Sequence, residues 1–173
     1  MNVRLLNSAD AEIYRKIRLQ SLQEHPEAFL SSYETEKDMP IETTQSRLTL
    51  SEEQFTLGSF TENGELVGVV TFVRESRPKI RHKGNVVAMY VDQKVRGQRV
   101  GQALMKELIT RAAQLPSLEI LNLSVVSSNT PAKRLYEQLG FSHYGTERNA
   151  MKLEDGYLDE DFMSLDLNKE KNL

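Results

Sequence analysis

The chain reads MYVDQKVRGQRVGQALM from Met89 to Met105, and this stretch decides the fold, because an apolar strand enters a Gly/Arg turn that opens into an amphipathic helix. Backbone N–H groups at a helix start have no intrahelical partner, and the helix dipole adds positive charge there. Such a helix start suits phosphate or pyrophosphate, and Gly97 and Gly101 allow a ligand to approach the backbone closely. The stretch therefore predicts a site for a phosphorylated cofactor.

The loop itself excludes two common classes of phosphate site. A nucleotide triphosphate loop requires Lys-Ser/Thr after its last glycine, whereas Gln102 and Ala103 follow Gly101. The dinucleotide fingerprint G-x-G-x-x-G is also absent. The segment RGQRVG at residues 96–101 resembles instead the R/Q-x-x-G-x-G/A signature of the GNAT superfamily of N-acetyltransferases, with Arg99 where the family usually has glycine.

The resemblance implies that this loop holds the pyrophosphate of acetyl-coenzyme A (acetyl-CoA). The residues expected to bind it are Arg96, Gly97, Gln98, Arg99, Val100 and Gly101. Backbone N–H groups from Gln98 to Gly101 would provide most of the contacts, and the two arginines would add charge. The alternative is an ordinary strand-to-helix turn that needs glycine for its geometry, with Arg99 a plain surface residue.

A second segment, NTPAKRLYEQLGF from Asn129 to Phe141, strengthens the resemblance. It is similar to the family's N-x-x-A-x-x-x-Y-x-x-x-G-F stretch, in which the asparagine and the tyrosine face the coenzyme. The pattern is typical of a helix capped by Asn129 or Thr130 and ended by Gly140. The resemblance implies that Asn129 contacts the pantetheine or a water, and that Tyr136 is the general acid that protonates the leaving thiolate. The alternatives are a helix cap for the asparagine and a tyrosine packed against the sheet.

The strand before the loop supplies the remaining expected contacts. By the resemblance, backbone groups of Met89 and Val91 pair with the pantetheine and polarise the acetyl carbonyl. Some relatives place a catalytic glutamate on this strand, whereas this chain has Asn85 near that place, so a water held by Asn85 or by strand carbonyls could remove the amine proton. Other possible bases, none of which the sequence singles out, are Glu34, His82 and Asp159.

Acceptor recognition is expected in two regions that serve this purpose in family members acetylating protein N-termini. One is the connector from Phe29 to Tyr33, and the other is the final hairpin from Tyr157 to Met163. Acidic residues near this hairpin would attract a cationic amine by electrostatic steering: Glu154, Asp155, Asp159, Glu160 and Asp161. The alternative is that a hairpin is simply solvated and charged.

The pattern along the chain predicts strand, two helices, three strands, helix, strand, helix and two strands. The all-apolar strand that ends at Val91 belongs at the sheet centre. These elements predict a mixed α/β (α+β) fold in a single domain over residues 1–167, with a frayed tail over 168–173. The resemblance implies the GNAT fold, a central mixed, mostly antiparallel sheet flanked by about four helices, whose central strands splay apart at the cofactor.

Composition excludes several classes of protein and site. A chain of 173 residues with 39% hydrophobic and 27% charged residues is typical of one globular domain. It has no cysteine, which excludes disulfides and a thiol nucleophile, and its three histidines lack ligand spacing, so no metal site is expected. A net charge of -3 argues against nucleic acid as a partner, and no apolar run suits a membrane span, so a cytoplasmic location is expected.

Together these features predict an N-acetyltransferase. It would move acetyl from acetyl-CoA directly to the primary amine of a small molecule or a peptide N-terminus, within a ternary complex. Two other functions remain open from the sequence: a non-catalytic acyl-CoA-binding sensor or regulatory module, and a nucleotide-binding protein. Because relatives are frequently dimers, a homodimer is a further expectation.

Overall fold

A computed structural model describes residues 1–170. Seven strands in this part of the chain form one sheet. Its strands are β1 (Asn2–Leu5), β2 (Gln54–Phe60), β3 (Leu66–Arg74), β4 (Lys83–Val91), β5 (Ile120–Val126), β6 (Ser142–Leu153) and β7 (Gly156–Asp166). They lie in the order β1-β2-β3-β4-β5-β7-β6. Neighbouring strands are antiparallel except β4 and β5, which are parallel. The predicted mixed, mostly antiparallel sheet is confirmed.

Helices cover both faces of the sheet. They are α1 (Ala11–Glu24), α2 (Tyr33–Glu36), α3 (Ile41–Arg47), α4 (Val100–Ala113), α5 (Thr130–Gln138) and α6 (Leu167–Glu170). In β3, Val70 packs in the core with α4 and α5, while its neighbour Val69 packs with α1, because successive side chains of a strand point to opposite faces. No helix in the described part of the chain has both the length and the apolarity to span a membrane.

The central strands β4 and β5 diverge after a short paired stretch. Residues 83–85 of β4 pair with residues 120–122 of β5, and the ladder ends there. The backbone of residues 86–91 therefore faces a gap on this side. Its N–H and C=O groups along this edge lack the partners that a neighbouring strand would provide. This gap is the splay that the family resemblance implies.

On its other edge, β4 carries a bulge. Val69 of β3 pairs with Tyr90, but Thr71 pairs with Val87, so β4 has one more residue than β3 between these pairs. Ala88 lies in this interval with φ of 53°, a left-handed conformation that is uncommon outside glycine. The bulge places an irregular piece of backbone beside the gap, as bulges often do next to functional sites.

Two helices differ from the prediction. The four predicted helices correspond to α1, α3, α4 and α5, whereas α2 and α6 have four residues each, too few for a periodic apolar signal. Ser32 begins α2 by accepting a hydrogen bond from the Thr35 N–H at 3.3 Å. The tail predicted from residue 168 starts inside α6, and its last part, residues 171–173, lies outside the described residues.

Candidate active site

A cleft of about 1270 Å³ opens where β4 and β5 part. It exceeds the roughly 300–1,000 Å³ typical of pockets for drug-sized ligands, so it suits an extended cofactor together with a second substrate. The starts of α4 and α5 line it, as do residues 25 and 27–31, between α1 and α2. The predicted cofactor residues that line it are Met89, Val91, Arg96, Gly97, Arg99, Val100, Gly101, Asn129 and Tyr136.

The turn before α4 contains two left-handed residues. Gly97 has φ of 79°, and Arg99, the N-cap of α4, has φ of 61°. The Arg99 side chain makes no capping hydrogen bond, and its C=O accepts from the N–H of Ala103 at 3.0 Å. The N–H groups of residues 100–102 precede the helical ladder, and unpaired N–H groups at a helix start suit an anion.

Two other residues of this loop are fixed by contacts within the protein. The N–H of Gln98 donates to the Val95 C=O at 3.3 Å, and Gln98 does not line the cleft. A Cβ at position 101 would lie 3.1 Å from Met89 Cε and 3.3 Å from Leu135 Cδ2. Glycine at this position therefore also allows α4 to pack closely on β4 and α5, a reason that the sequence motif does not reveal.

Helix α5 carries both side chains that the second motif places at the cofactor. Tyr136 is buried, its ring lies 6.0 Å from that of Phe141, and burial raises its pKa to about 12, so the phenol is neutral near pH 7. Its hydroxyl has no hydrogen-bond partner among residues 1–168, which leaves the proton for a ligand in the cleft. Asn129 Oδ1 accepts from the Ala132 N–H at 3.3 Å, so this residue is the helix cap.

The start of α5 is tied to β7 through one carboxylate. Asp161 accepts from Lys133 Nζ at 2.5 Å, from Ser127 Oγ at 2.7 Å and from Thr146 Oγ1 at 2.8 Å. These hydrogen bonds, with that of Lys133 the strongest, hold the pKa of the Asp161 carboxyl well below its usual range. Asp161 is therefore an anion with a structural role.

A polar network between α1 and β4 has no counterpart among the sequence motifs. The hydroxyl of Tyr90 donates to Glu24 Oε2 at 2.6 Å, and Gln20 Nε2 donates to the Tyr90 oxygen at 3.2 Å and to Asp92 Oδ2 at 3.2 Å. Burial and the hydrogen bond to Glu24 raise the pKa of Tyr90, and the same bond lowers the pKa of Glu24. The network attaches the end of α1 to the strand that borders the gap.

Arg96 makes a second polar contact between the cleft and the end of α1. Its Nη2 lies 2.7 Å from Nε2 of His25, and Nδ1 of the same histidine lies 3.0 Å from Glu27 Oε1. His25 and Glu27 line the cleft together with Arg96. A side chain expected to bind phosphate is thus oriented by residues that follow α1.

Of the four residues predicted for the acceptor, only Phe29 lines the cleft. Asn85 belongs to the last paired residues of β4, before the strands part, and its amide donates to Glu75 Oε1 at 2.8 Å. Tyr33 begins α2 outside the lining, and Tyr157, 57% exposed, lies at the start of β7 beyond it. The structure therefore does not bring Asn85, Tyr33 and Tyr157 into the cleft.

Several residues outside the two motifs also line the cleft. They are Arg18, Leu30, Ser31, Val87, Ser124 and Glu160. Leu30 and Ser31 lie in the connector predicted for the acceptor, but the sequence did not single them out. Glu160 lies in the predicted hairpin, and the acidic run there did not distinguish it from its neighbours. Among the side chains of residues 1–168, no three from Asp, Glu or His are grouped as ligands for a metal ion.

The comparisons with known proteins agree with this geometry. Residues 19–141 match the sequence model of the Acetyltransferase (GNAT) family, a stretch that contains the α4 loop and the whole of the second motif. L-amino acid N-acetyltransferase AaaT of Escherichia coli (strain K12) is 28% identical over 102 residues, or 59% of this chain. The matched part is 62% of the length of that relative.

Solved structures show the same fold at low sequence identity. An acetyltransferase of the GNAT family from Streptococcus pneumoniae superposes with a TM-score of 0.83 at 23% identity, over 95% of this chain and 98% of that chain. The structure of yncA from Salmonella typhimurium with its cofactor acetyl-CoA has a TM-score of 0.81 at 22% identity, over 96% and 94%. With the family match over more than half of its length, this chain belongs to the GNAT family of acetyltransferases.

Proposed function

We propose that this protein is an N-acetyltransferase that moves acetyl from acetyl-CoA directly to a primary amine in a ternary complex. One observation carries the proposal: the hydroxyl of Tyr136, without a partner among the described side chains, shares a cleft with the unpaired N–H groups at the start of α4. A phosphate site and a proton donor in one cleft are what transfer from a coenzyme A thioester requires.

The residues of the cleft fit acetyl-CoA along its length. The N–H groups of residues 100–102, with Arg96 and Arg99, would bind the pyrophosphate. The open edge of β4, including Met89 and Val91, would pair with the pantetheine as a neighbouring strand does. Backbone N–H groups on this edge would also polarise the acetyl carbonyl.

The proposed reaction balances without an acyl-enzyme. The nitrogen lone pair of the amine attacks the thioester carbonyl carbon, so that the C–N bond forms while the C–S bond breaks. Tyr136 gives its proton to the leaving sulfur, which is suitable because its raised pKa keeps the phenol protonated. The nitrogen loses a proton, and exchange with water restores the tyrosine.

The acceptor is proposed to be a small molecule or a peptide N-terminus. The name of the E. coli relative, an L-amino acid N-acetyltransferase, makes free L-amino acids the first acceptors to test. Residues 27–31, in the connector after α1, also line the cleft, and the acceptor is proposed to bind beside them.

Thermal unfolding with acetyl-CoA, coenzyme A, ATP and NAD tests the cofactor. We expect stabilisation by acetyl-CoA and coenzyme A alone, since a ligand that binds only the folded state raises the unfolding temperature. Stabilisation by ATP or NAD instead would indicate a nucleotide-binding protein and contradict the proposal.

Thiol release with L-amino acids, other primary amines and N-terminal peptides tests the reaction. We expect Tyr136→Phe to bind acetyl-CoA as the parent does but to lower kcat by about 100-fold or more. A parent chain that binds acetyl-CoA and acetylates none of the amines would indicate a non-catalytic acyl-CoA-binding sensor or regulatory module.

A further inference from the structure

We propose that Glu160 is the carboxylate that binds the ammonium group of the acceptor and takes the nitrogen proton during acetyl transfer. This inference rests on the proposed function, and it assigns the base that the sequence motifs leave open. Glu160 lies in β7 opposite Val126 of β5, at the side of the gap where the strands have parted.

Among three consecutive acidic residues of β7, Glu160 alone lines the cleft. Asp159 Oδ1 accepts from the Asn149 N–H at 2.8 Å, and Asp161 binds the start of α5. Glu160 Oε1 has a weaker contact, 3.4 Å from Ser124 Oγ, and Ser124 also lines the cleft. A half-buried carboxylate with one long hydrogen bond can still accept further donors from a substrate.

Glu160 and Tyr136 reach the cleft from opposite faces of the sheet. In β5, Leu123 and Val125 pack in the core beneath α4 and α5, the core that contains Tyr136. Ser124 lies between them in the strand, so its side chain points to the other face, and Glu160 shares that face. The amine would therefore enter from one face while the sulfur leaves toward the proton donor on the other, which suits a direct displacement.

A negative charge at position 160 is unfavourable for the sheet. Glu160 pairs directly across the strands with Glu147 of β6, so the two carboxylates share one face as neighbours. Like charges directly opposite in an antiparallel pair destabilise a sheet. Stability alone would favour a neutral side chain at either position, whereas a role in binding a cation accounts for the charge at Glu160.

The proton transfer has a defined course. The bound ammonium group first loses one proton to water, which frees the nitrogen lone pair. When the neutral amine nitrogen then bonds to the acetyl carbon it becomes positively charged, and it returns to neutrality by giving a second proton to the Glu160 carboxylate. Tyr136 supplies a proton to sulfur, and water restores both side chains. A carboxylate in hydrogen-bond reach of the nitrogen is the general base that this step requires.

Glu160→Gln tests the inference, with Glu147→Gln as the matched control. Both changes remove one charge from the same pair, but Glu147 is exposed and outside the cleft. We expect Glu160→Gln to lower kcat/KM for the best amine by about 100-fold or more and Glu147→Gln to change it little. Both variants should bind acetyl-CoA as the parent does in calorimetry, and both should unfold at the same or a higher temperature than the parent.

The outcomes separate the inference from the proposed function. A parent chain that releases no thiol with any amine would overturn both. An active parent with Glu160→Gln as active as Glu147→Gln would overturn only the role of Glu160, as would a loss of activity explained by a lower unfolding temperature in Glu160→Gln alone. Partial recovery in Glu160→Asp, with a higher KM for the amine, would support direct contact with the acceptor.

Discussion

The guanidinium of Arg96 donates to Nε2 of His25 at 2.7 Å, which joins the loop before α4 to the segment after α1. Arginine has no acceptor, so the histidine accepts through Nε2, and its own proton is on Nδ1, the nitrogen that faces Glu27. Arg96 is consequently oriented at the cleft before any anion is bound. A prepositioned cation loses less conformational freedom when it binds a phosphate.

We expect Arg96→Ala to weaken acetyl-CoA binding by about 10-fold or more, because a hydrogen bond to a charged group is worth roughly 1.5–3 kcal/mol. His25→Ala should have a smaller effect, since it removes only the positioning contact. Calorimetric titration at low and at high salt measures both, and the salt dependence should be weaker for Arg96→Ala. Equal affinities of the parent, Arg96→Ala and His25→Ala for acetyl-CoA would show that Arg96 does not contact the cofactor.

Tyr136 should make the fold less stable in alkali. Its pKa rises from 10.0 to about 12 on folding, so between these pH values the unfolded phenol is ionised and the folded one is not. The unfolded state then binds fewer protons, and the free energy of unfolding falls as pH rises through this window. Urea unfolding at about pH 8 and about pH 11 should show a smaller fall for Tyr136→Phe than for the exposed control Tyr157→Phe. An equal fall in the two variants would refute the burial argument.

Arg99→Gly should stabilise the protein by about 1 kcal/mol, because a side chain in the left-handed conformation costs roughly 1–2 kcal/mol and glycine lowers that cost. Arg99→Ala is the control, since it removes the charge but keeps the Cβ. Chemical unfolding of both variants gives the difference. If Arg99→Ala is as stable as Arg99→Gly, the backbone is not strained at this position.

Asp161→Ala should destabilise the protein by about 2 kcal/mol, because three donors lose their acceptor at a buried position. The lowered pKa of Asp161 also predicts stability that is present above about pH 4 and is lost as pH falls through its folded value. Unfolding measured from neutral to acid pH tests this for the parent and for Asp155→Ala, a change in the exposed turn between β6 and β7. The parent and Asp155→Ala should lose stability in acid alike, while Asp161→Ala should lose less.

The sequence predicted those features whose physical cause is local. The helix from Asn129 was predicted from its cap and from the glycine at position 140, which has φ of 92° in the structure. The central place of β4 followed from its apolar residues, because such a strand must be covered on both faces. The family resemblance added the splay, which depends on two strands that no local pattern relates to each other.

Contacts between distant segments were not predictable in this way. The hydrogen bond from Tyr90 to Glu24 joins residues 66 positions apart, and neither residue has a special pattern around it. Glu160 was one of several acidic residues near a hairpin, and only the register of β7 against β5 separates it from its neighbours. Tyr157 was predicted to face the acceptor from its place in the hairpin, but that place lies beyond the cleft.

The bulge at Ala88 determines which helices each half of β4 packs against. Val86 packs beneath α4 and α5, whereas Tyr90 packs beneath α1. In a regular strand two residues at this even spacing would share a face. Removing one residue from the bulge would turn Tyr90 toward α4, so that Glu24 would lose its donor and α1 its attachment to this strand. A single extra residue thus lets one strand pack against α4 with one half and against α1 with the other.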